Sequence, residues 1–215
     1  MVNSITLNKL TPNVFSDVDL SSSGVWGKTV TFSKGQKYLI AAESGSGKSS
    51  LLDYIYGRRT DYIGQVLIDD VDIQAVATAT KQQLRREELS VVFQGLRLFP
   101  ELTAWENVAL KNRLTNHKTS AEIESYFERL GIKEKQDEKV RTLSFGQQQR
   151  IAIIRALCQP FSFLMLDEPF GHLDRQNIQL ALSLAIEEAE KQQAGILLFS
   201  LGFDYGFSYT TKLSL

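Results

Sequence analysis

The chain has 215 residues, 43% of them hydrophobic and 23% charged, enough for one globular domain with a subdomain and a sizeable buried core. A formal net charge of -1, from 24 basic and 25 acidic side chains, supplies no basic excess for nucleic acid or an anionic membrane, so no nucleic-acid partner is expected. The single cysteine, Cys158, excludes an internal disulfide and fits a reducing, cytosolic setting, while no secretory signal and no bilayer-spanning apolar run of roughly 18–20 residues is present.

In chain order, residues 5–40 read as short strands. Ile5, Leu7, Val30, Phe32 and the run Tyr38-Leu39-Ile40 are the apolar markers, and Gly24, Gly27 and Gly35 are the breaks. Residues 38–41 form a buried strand that feeds a glycine-rich loop. From Lys48 a helix is expected, with Leu51, Leu52 and Ile55 on one face and Gly57 as its C-terminal cap. Val66-Leu67-Ile68, Asp69-Asp70 and Val71-Asp72-Ile73 read as a strand, a turn and the start of a connection. Val91-Val92-Phe93 is a short β-branched run ending at Gln94.

Residues 95–157 read as mostly helical. Thr119-Ser120-Ala121-Glu122 fits a capping box, and Ile123, Tyr126, Phe127 and Leu130 follow at helical spacing before Gly131. A second helix is expected from near Gln147 through Ile151, Ile154, Ala156 and Leu157 to Pro160. The sheet returns with Phe163-Leu164-Met165-Leu166 and again with Ile196-Leu197-Leu198-Phe199, with a helix over 178–192 between them. Strands alternating with helices around a glycine loop indicate an α/β fold, a parallel sheet with helices on both faces. Few residues follow the last strand, so no C-terminal regulatory domain is expected.

The loop Ala42-Glu43-Ser44-Gly45-Ser46-Gly47-Lys48-Ser49, continued by Ser50, carries the strongest chemical signal. A triphosphate needs many donors close together. Glycines let backbone N–H groups approach it, and the helix that follows aims its unpaired N–H groups at the same anion. Lys48 supplies a point charge for the β- and γ-phosphates, and the Ser49 hydroxyl can ligate Mg²⁺. A bland glycine turn between strand and helix is the competing reading, which Gly-x-Gly-Lys-Ser in that context disfavours. The strand 163–166 ends in Asp167 and Glu168. The first acid can hold Mg²⁺ and the second can act as general base toward an attacking water.

Leu143-Ser144-Phe145-Gly146-Gln147-Gln148-Gln149-Arg150 resembles the signature motif of the ATP-binding cassette (ABC) ATPases. Gln94 stands at that family's Q-loop position and Gly171-His172-Leu173-Asp174 at its D-loop. The stretch Arg-Leu-Phe-Pro-Glu-Leu-Thr-Ala-Trp-Glu-Asn-Val over 97–108 is most similar to the lipoprotein-release and macrolide-export branch. The resemblance implies a P-loop NTPase core with a mostly parallel sheet and an N-terminal antiparallel β subdomain. Residues 1–94 and 158–215 would form that core, and 95–157 a helical subdomain carrying the signature. It also implies an ATPase, with Glu168, Lys48 and Gln94 as catalytic candidates and Ser49, Gln94 and Asp167 as Mg²⁺ candidates. Two copies would close head to tail on two ATPs, so that Ser144, Gly146 and Gln147 of one meet the γ-phosphate held by the other. Integral-membrane permease subunits would dock near Gln94 and the helical subdomain, at the cytoplasmic face of the membrane.

Four departures from the family pattern stand out. Ala42 replaces the first loop glycine, which would cost roughly 1 kcal/mol if the position needs positive φ. Phe145 replaces the first glycine of the signature pair. Leu201 stands where the family has a switch histidine. Of the two histidines present, His117 reads as a solvated loop residue and His172 as one that could face a partner's phosphate loop. The adenine-stacking aromatic is unsettled between Phe15 and Trp26, for which core packing is the competing reading. The leading function is therefore the motor subunit of a transporter. The alternative is a hydrolysis-impaired clamp, and a chromosome- or ribosome-associated ABC protein is disfavoured because no long coiled-coil insertion is present.

Overall fold

The computed structural model describes residues 1–43 and 45–215; Ser44 of the expected phosphate loop lies outside the described residues. Two sheets organise the chain. Strands β1 (Ser4–Pro12), β2 (Thr29–Ser33), β4 (Tyr62–Ile68) and β5 (Val71–Asp72) form an antiparallel sheet in the order β2-β1-β4-β5. Strands β3 (Lys37–Ala41), β6 (Leu89–Val92), β7 (Phe163–Asp167), β8 (Gly195–Ser200) and β9 (Thr211–Ser214) form a parallel sheet in the order β6-β7-β8-β3-β9.

The central strands of the parallel sheet are buried on both faces because they are apolar at successive positions. Leu39, Leu164, Leu166, Ile196 and Leu198 join one core with residues of helices α3 (Ala104–Asn112), α4 (Ser120–Arg129), α5 (Phe145–Leu157) and α6 (Arg175–Lys191). Tyr38, Ile40, Phe163, Met165, Leu197 and Phe199 point the other way. They join the antiparallel sheet and helix α1 (Lys48–Ile55) in a second core. Each such fully buried side chain contributes about 1.5–3 kcal/mol relative to exposure.

Several boundaries differ from expectation. Helix α5 begins at Phe145, two residues before Gln147, because Ser144 is its N-cap, and it ends at Leu157. The Asp69-Asp70 turn, with φ of 45 and 67, closes a hairpin onto β5 instead of opening a connection. Helix α2 (Thr78–Glu87) was not expected: it buries no residue, so its sequence has no apolar face to read. Ile196–Phe199 is not the last strand, since β9 pairs alongside β3; its Thr-Lys-Leu-Ser sequence is too polar to signal a strand. His117 is half-buried with its Nε2 enclosed and unpartnered among the described residues, so it is not a solvated loop residue.

Candidate functional site

Strand β3 delivers the chain to the mouth of the site. The Ala42 N–H donates to the Ser200 carbonyl at 3.0 Å, tying the start of the loop to the end of β8. Ala42 does not adopt positive φ, so its methyl group is tolerated without strain. The glycines that do are Gly45 (φ 84) and Gly47 (φ 96). At Gly47 a Cβ would lie 3.0 Å from Trp26 and 3.2 Å from Phe15. Trp26 is 2% exposed and its Nε1–H donates to the Ser46 carbonyl at 3.1 Å. Trp26 is thus committed to the underside of the loop. Phe15, half-buried and edge-on to Trp26 at 6.4 Å, is the aromatic beside the loop with free surface.

Helix α1 starts at Lys48 on the N-cap Gly47, and among the described residues no side chain caps its first turn. Its leading N–H groups therefore remain available to an anion. Lys48 is 6% exposed; its Nζ donates to the carbonyls of Ala42 (3.0 Å) and Glu43 (2.9 Å) and lies 3.4 Å from Glu168. The cation is presented at the loop by its own carbonyls and balanced by a carboxylate.

Strand β7 carries the two acids to the same place. Asp167, 2% exposed, accepts the Ser49 hydroxyl on Oδ2 at 2.8 Å, while its buried Oδ1 finds no partner among the described residues. Burial pushes the Asp167 carboxyl above the usual range; the Ser49 hydroxyl opposes this, and the Glu168 charge adds to it. Glu168 sits at φ 45, unusual for a non-glycine residue, with its N–H on the Phe199 carbonyl at 3.0 Å. Gly45, Gly47, Lys48, Ser49, Ser50, Gln94 and Glu168 line one pocket of about 250 Å³. A neighbouring recess is shared by Ser49, Gln94 and Asp167. The sites expected from the loop, the β6 end and the β7 end are therefore brought together.

The enclosed, unpartnered Asp167 oxygen beside a serine hydroxyl fits a hard divalent cation. The donors are all oxygen, and an unsatisfied buried carboxylate is what such an ion would complete.

Ser144, Gly146 and Gln147 do not line this pocket. The Ser144 side chain accepts the Gln147 N–H at 3.3 Å and the Gln147 side chain accepts the Ser144 N–H at 2.9 Å, a reciprocal capping box at the start of α5. A Cβ on Gly146 would lie 2.8 Å from the His172 carbonyl oxygen. The glycine thus lets the start of α5 pack against the turn that follows β7. The His172 ring packs against Phe145 of the same chain, with centroids 4.4 Å apart and planes tilted by 49°, so the residue that replaces the first signature glycine touches the D-loop histidine. Leu201 is 47% exposed at the end of β8.

Sequence reasoning missed Gln149, which is 2% exposed and accepts the His172 N–H on its side chain at 3.2 Å. A buried polar side chain on an otherwise apolar helix face was the available signal.

A family model described as ABC transporter matches residues 27–171. The uncharacterized ABC transporter ATP-binding protein YclH of Bacillus subtilis (strain 168) is 34% identical over 196 residues, covering 89% of this chain and 80% of that protein. The lipoprotein-releasing system ATP-binding protein LolD of Shewanella frigidimarina (strain NCIMB 400) is 34% identical over 163 residues, covering 74% of this chain and 68% of that protein. Among solved structures, the dimeric structure of MJ0796, a bacterial ABC transporter cassette, has a TM-score of 0.82 at 24% identity, covering 98% of this chain and 94% of that one. No helix among the described residues is long and apolar enough to cross a membrane.

Proposed function

The chain belongs to the ABC transporter ATP-binding family, and we propose that it is the motor subunit of a transporter, closing with a second cassette on two Mg-ATP to drive integral-membrane permease subunits. The observation that carries the reading is the cluster at the head of α1. A buried Lys48 lies 3.4 Å from Glu168, and an unpartnered Asp167 oxygen lies beside Ser49.

The chemistry follows from these positions. The backbone of residues 42–50 and the α1 N-terminus cradle the phosphates, and Lys48 exchanges its carbonyl partners for phosphate oxygens. Ser49, Asp167 and Gln94 are the residues that would hold magnesium, which supplies charge neutralisation at the β- and γ-phosphate oxygens. Glu168 accepts a proton from the water that attacks the γ-phosphorus. The products are ADP and phosphate. Phe15 is the aromatic available to the base.

Ser144, Gly146 and Gln147 serve the site of the opposite subunit, a reading supported by their not lining the pocket of their own chain and by the dimeric state described for MJ0796. The permease would seat in the groove of about 350 Å³ whose lining includes Phe93, Phe99, Leu110 and Arg155, holding the subunit at the cytoplasmic face of the membrane. The domain division is 1–94 with 158–215 for the core and 95–157 for the signature subdomain.

Steady-state phosphate release by the purified protein, alone and with its membrane partner, tests the reading. Turnover is expected to fall to background in Glu168→Gln while ATP binding persists. A specific observation favours a second reading: Leu201 offers no hydrogen bond where the family has its switch histidine. Wild-type release no higher than Glu168→Gln, with ATP still bound, would establish a clamp that closes on ATP without hydrolysing it.

A further inference from the structure

We propose that Arg59 is a positioning residue for nucleotide binding: its guanidinium holds the Ser50 hydroxyl so that the hydroxyl donates to a phosphate that ATP and ADP have in common. The inference rests on residues 42–50 binding the phosphates of a nucleotide.

Helix α1 turns successive side chains by about 100°. Ser49 commits its hydroxyl to Asp167 at 2.8 Å. Ser50, the next residue, lines the phosphate pocket with Gly45, Gly47 and Lys48 but takes its partner from another direction, since the Arg59 Nη1–H donates to its Oγ at 2.8 Å. A hydroxyl carries one hydrogen and two lone pairs. With Arg59 on a lone pair, the hydrogen is turned elsewhere, and among the described residues the Ser50 hydroxyl donates to no protein acceptor. A phosphate oxygen in the pocket is the acceptor the geometry offers, and a hydroxyl that accepts from a cation is polarised into a better donor. Because Ser50 is turned from Asp167 toward Arg59, the phosphate it meets lies away from the metal-binding acid and stays on ADP.

Arg59 is held in place for this contact. Its Nε–H donates to Asp61 Oδ1 at 2.9 Å and its Nη2 pairs with Oδ2, a fork that leaves Nη1 for Ser50. Its Cζ lies 5.3 Å from the ring centre of the buried Tyr54. The Tyr54 hydroxyl donates to the Asp61 carbonyl at 3.3 Å, and the same carbonyl accepts the Asn13 N–H at 3.1 Å, two residues before Phe15. The turn that carries Arg59 is thereby tied both to α1 and to the segment that places Phe15 beside the loop. The bland reading is that Arg59 merely closes the helix. Helix α1 ends at Ile55, however, and its cap is made by the Tyr56 N–H on the Leu52 carbonyl, so its closure does not need a side chain reaching back nine residues to Ser50.

The test measures binding of ATP and ADP labelled with a fluorescent group on the ribose, and thermal unfolding without nucleotide. It compares full-length wild type, Arg59→Met, Ser50→Ala, the double variant and Arg58→Met. Arg59→Met keeps the apolar stem over Tyr54 and removes the donor. It is expected to weaken ATP and ADP alike by about tenfold, as Ser50→Ala should. The double variant should bind no more weakly than Ser50→Ala alone, because Arg59 acts through that hydroxyl. In phosphate release, KM should rise while kcat stays within about twofold. Arg58→Met, whose native side chain pairs with Asp53 at 3.0 Å instead, should bind as wild type. Midpoints of unfolding should lie within about 4 °C of wild type. Arg59→Lys, which cannot hold Asp61 and Ser50 in one fork, should fall between wild type and Arg59→Met and supplies the comparison if the latter does not fold. Arg59→Met that binds as wild type overturns the proposal, as does a loss of equal size with and without the Ser50 hydroxyl, or a loss confined to ATP. Wild type that binds neither nucleotide overturns the proposal together with the reading it rests on, whereas the other failures leave that reading standing.

Discussion

Replacing Asp167 by Asn should make the nucleotide-free protein more stable at neutral pH while abolishing its response to Mg-ATP. Asp167 is 2% exposed, one oxygen takes the Ser49 hydroxyl at 2.8 Å, and the other is buried without a partner. A buried polar group left unsatisfied costs about 1–3 kcal/mol, more when charged, against about 1 kcal/mol returned by the hydrogen bond that is made. Asn has the same shape, keeps an oxygen for Ser49 and removes the charge beside Glu168. A net gain of about 1 kcal/mol is therefore expected, which moves Tm by about 2–4 °C for a protein of this size.

The pH dependence follows from the raised folded-state pKa of Asp167, caused first by burial. The folded state disfavours the ionised form, so the penalty is absent below the unfolded value and grows as pH rises through the folded value. Thermal unfolding in a metal chelator should therefore show a clear gap between variant and wild type at about pH 7.5 that closes toward about pH 4. Saturating Mg-ATP should add about 2.7 kcal/mol to wild type at a hundred times Kd and little to the variant. An Asn variant that melts at or below wild type at neutral pH, or a gap that does not close on acidification, would refute the claim that the buried Asp167 carboxylate carries an electrostatic burden.

Two further changes probe the loop and the switch position. Gly45→Ala and Gly47→Ala share a positive φ and so a strain of about 1–2 kcal/mol, but only the second drives a methyl group into Trp26 and Phe15; urea unfolding should show Gly47→Ala to be the more damaging by about 1–3 kcal/mol. Equal losses would show that Trp26 yields without cost. In otherwise wild-type protein, Leu201→His should raise phosphate release in the steady-state assay if the absent switch histidine limits turnover.

The central strands of the parallel sheet were legible because they carry apolar runs such as Phe163-Leu164-Met165-Leu166 and Ile196-Leu197-Leu198-Phe199, and the phosphate loop because glycine, lysine and serine fall at spacings that few other structures require. The capping boxes at Thr119 and Ser144 were readable in principle from the same rule. The second is harder to see, because Ser144 and Gln147 lie inside the signature-like stretch and fit that motif as well as a cap. Helix α2 and strand β9 escaped because their stability comes from neighbours and not from an apolar period of their own. Ala42 could not be judged from sequence at all, since the deciding quantity was a backbone angle.

The contact between Gly146 and the His172 carbonyl has a mechanical consequence. There is no room for a side chain between the start of α5 and the turn after β7, so neither can slide past the other without first separating. In a closed pair of cassettes the start of α5 would touch the nucleotide of one site, while the turn after β7 leads back through Glu168 to the other. A displacement at one nucleotide would then reach the other through a rigid strut a few residues long, and the two sites would keep time with each other.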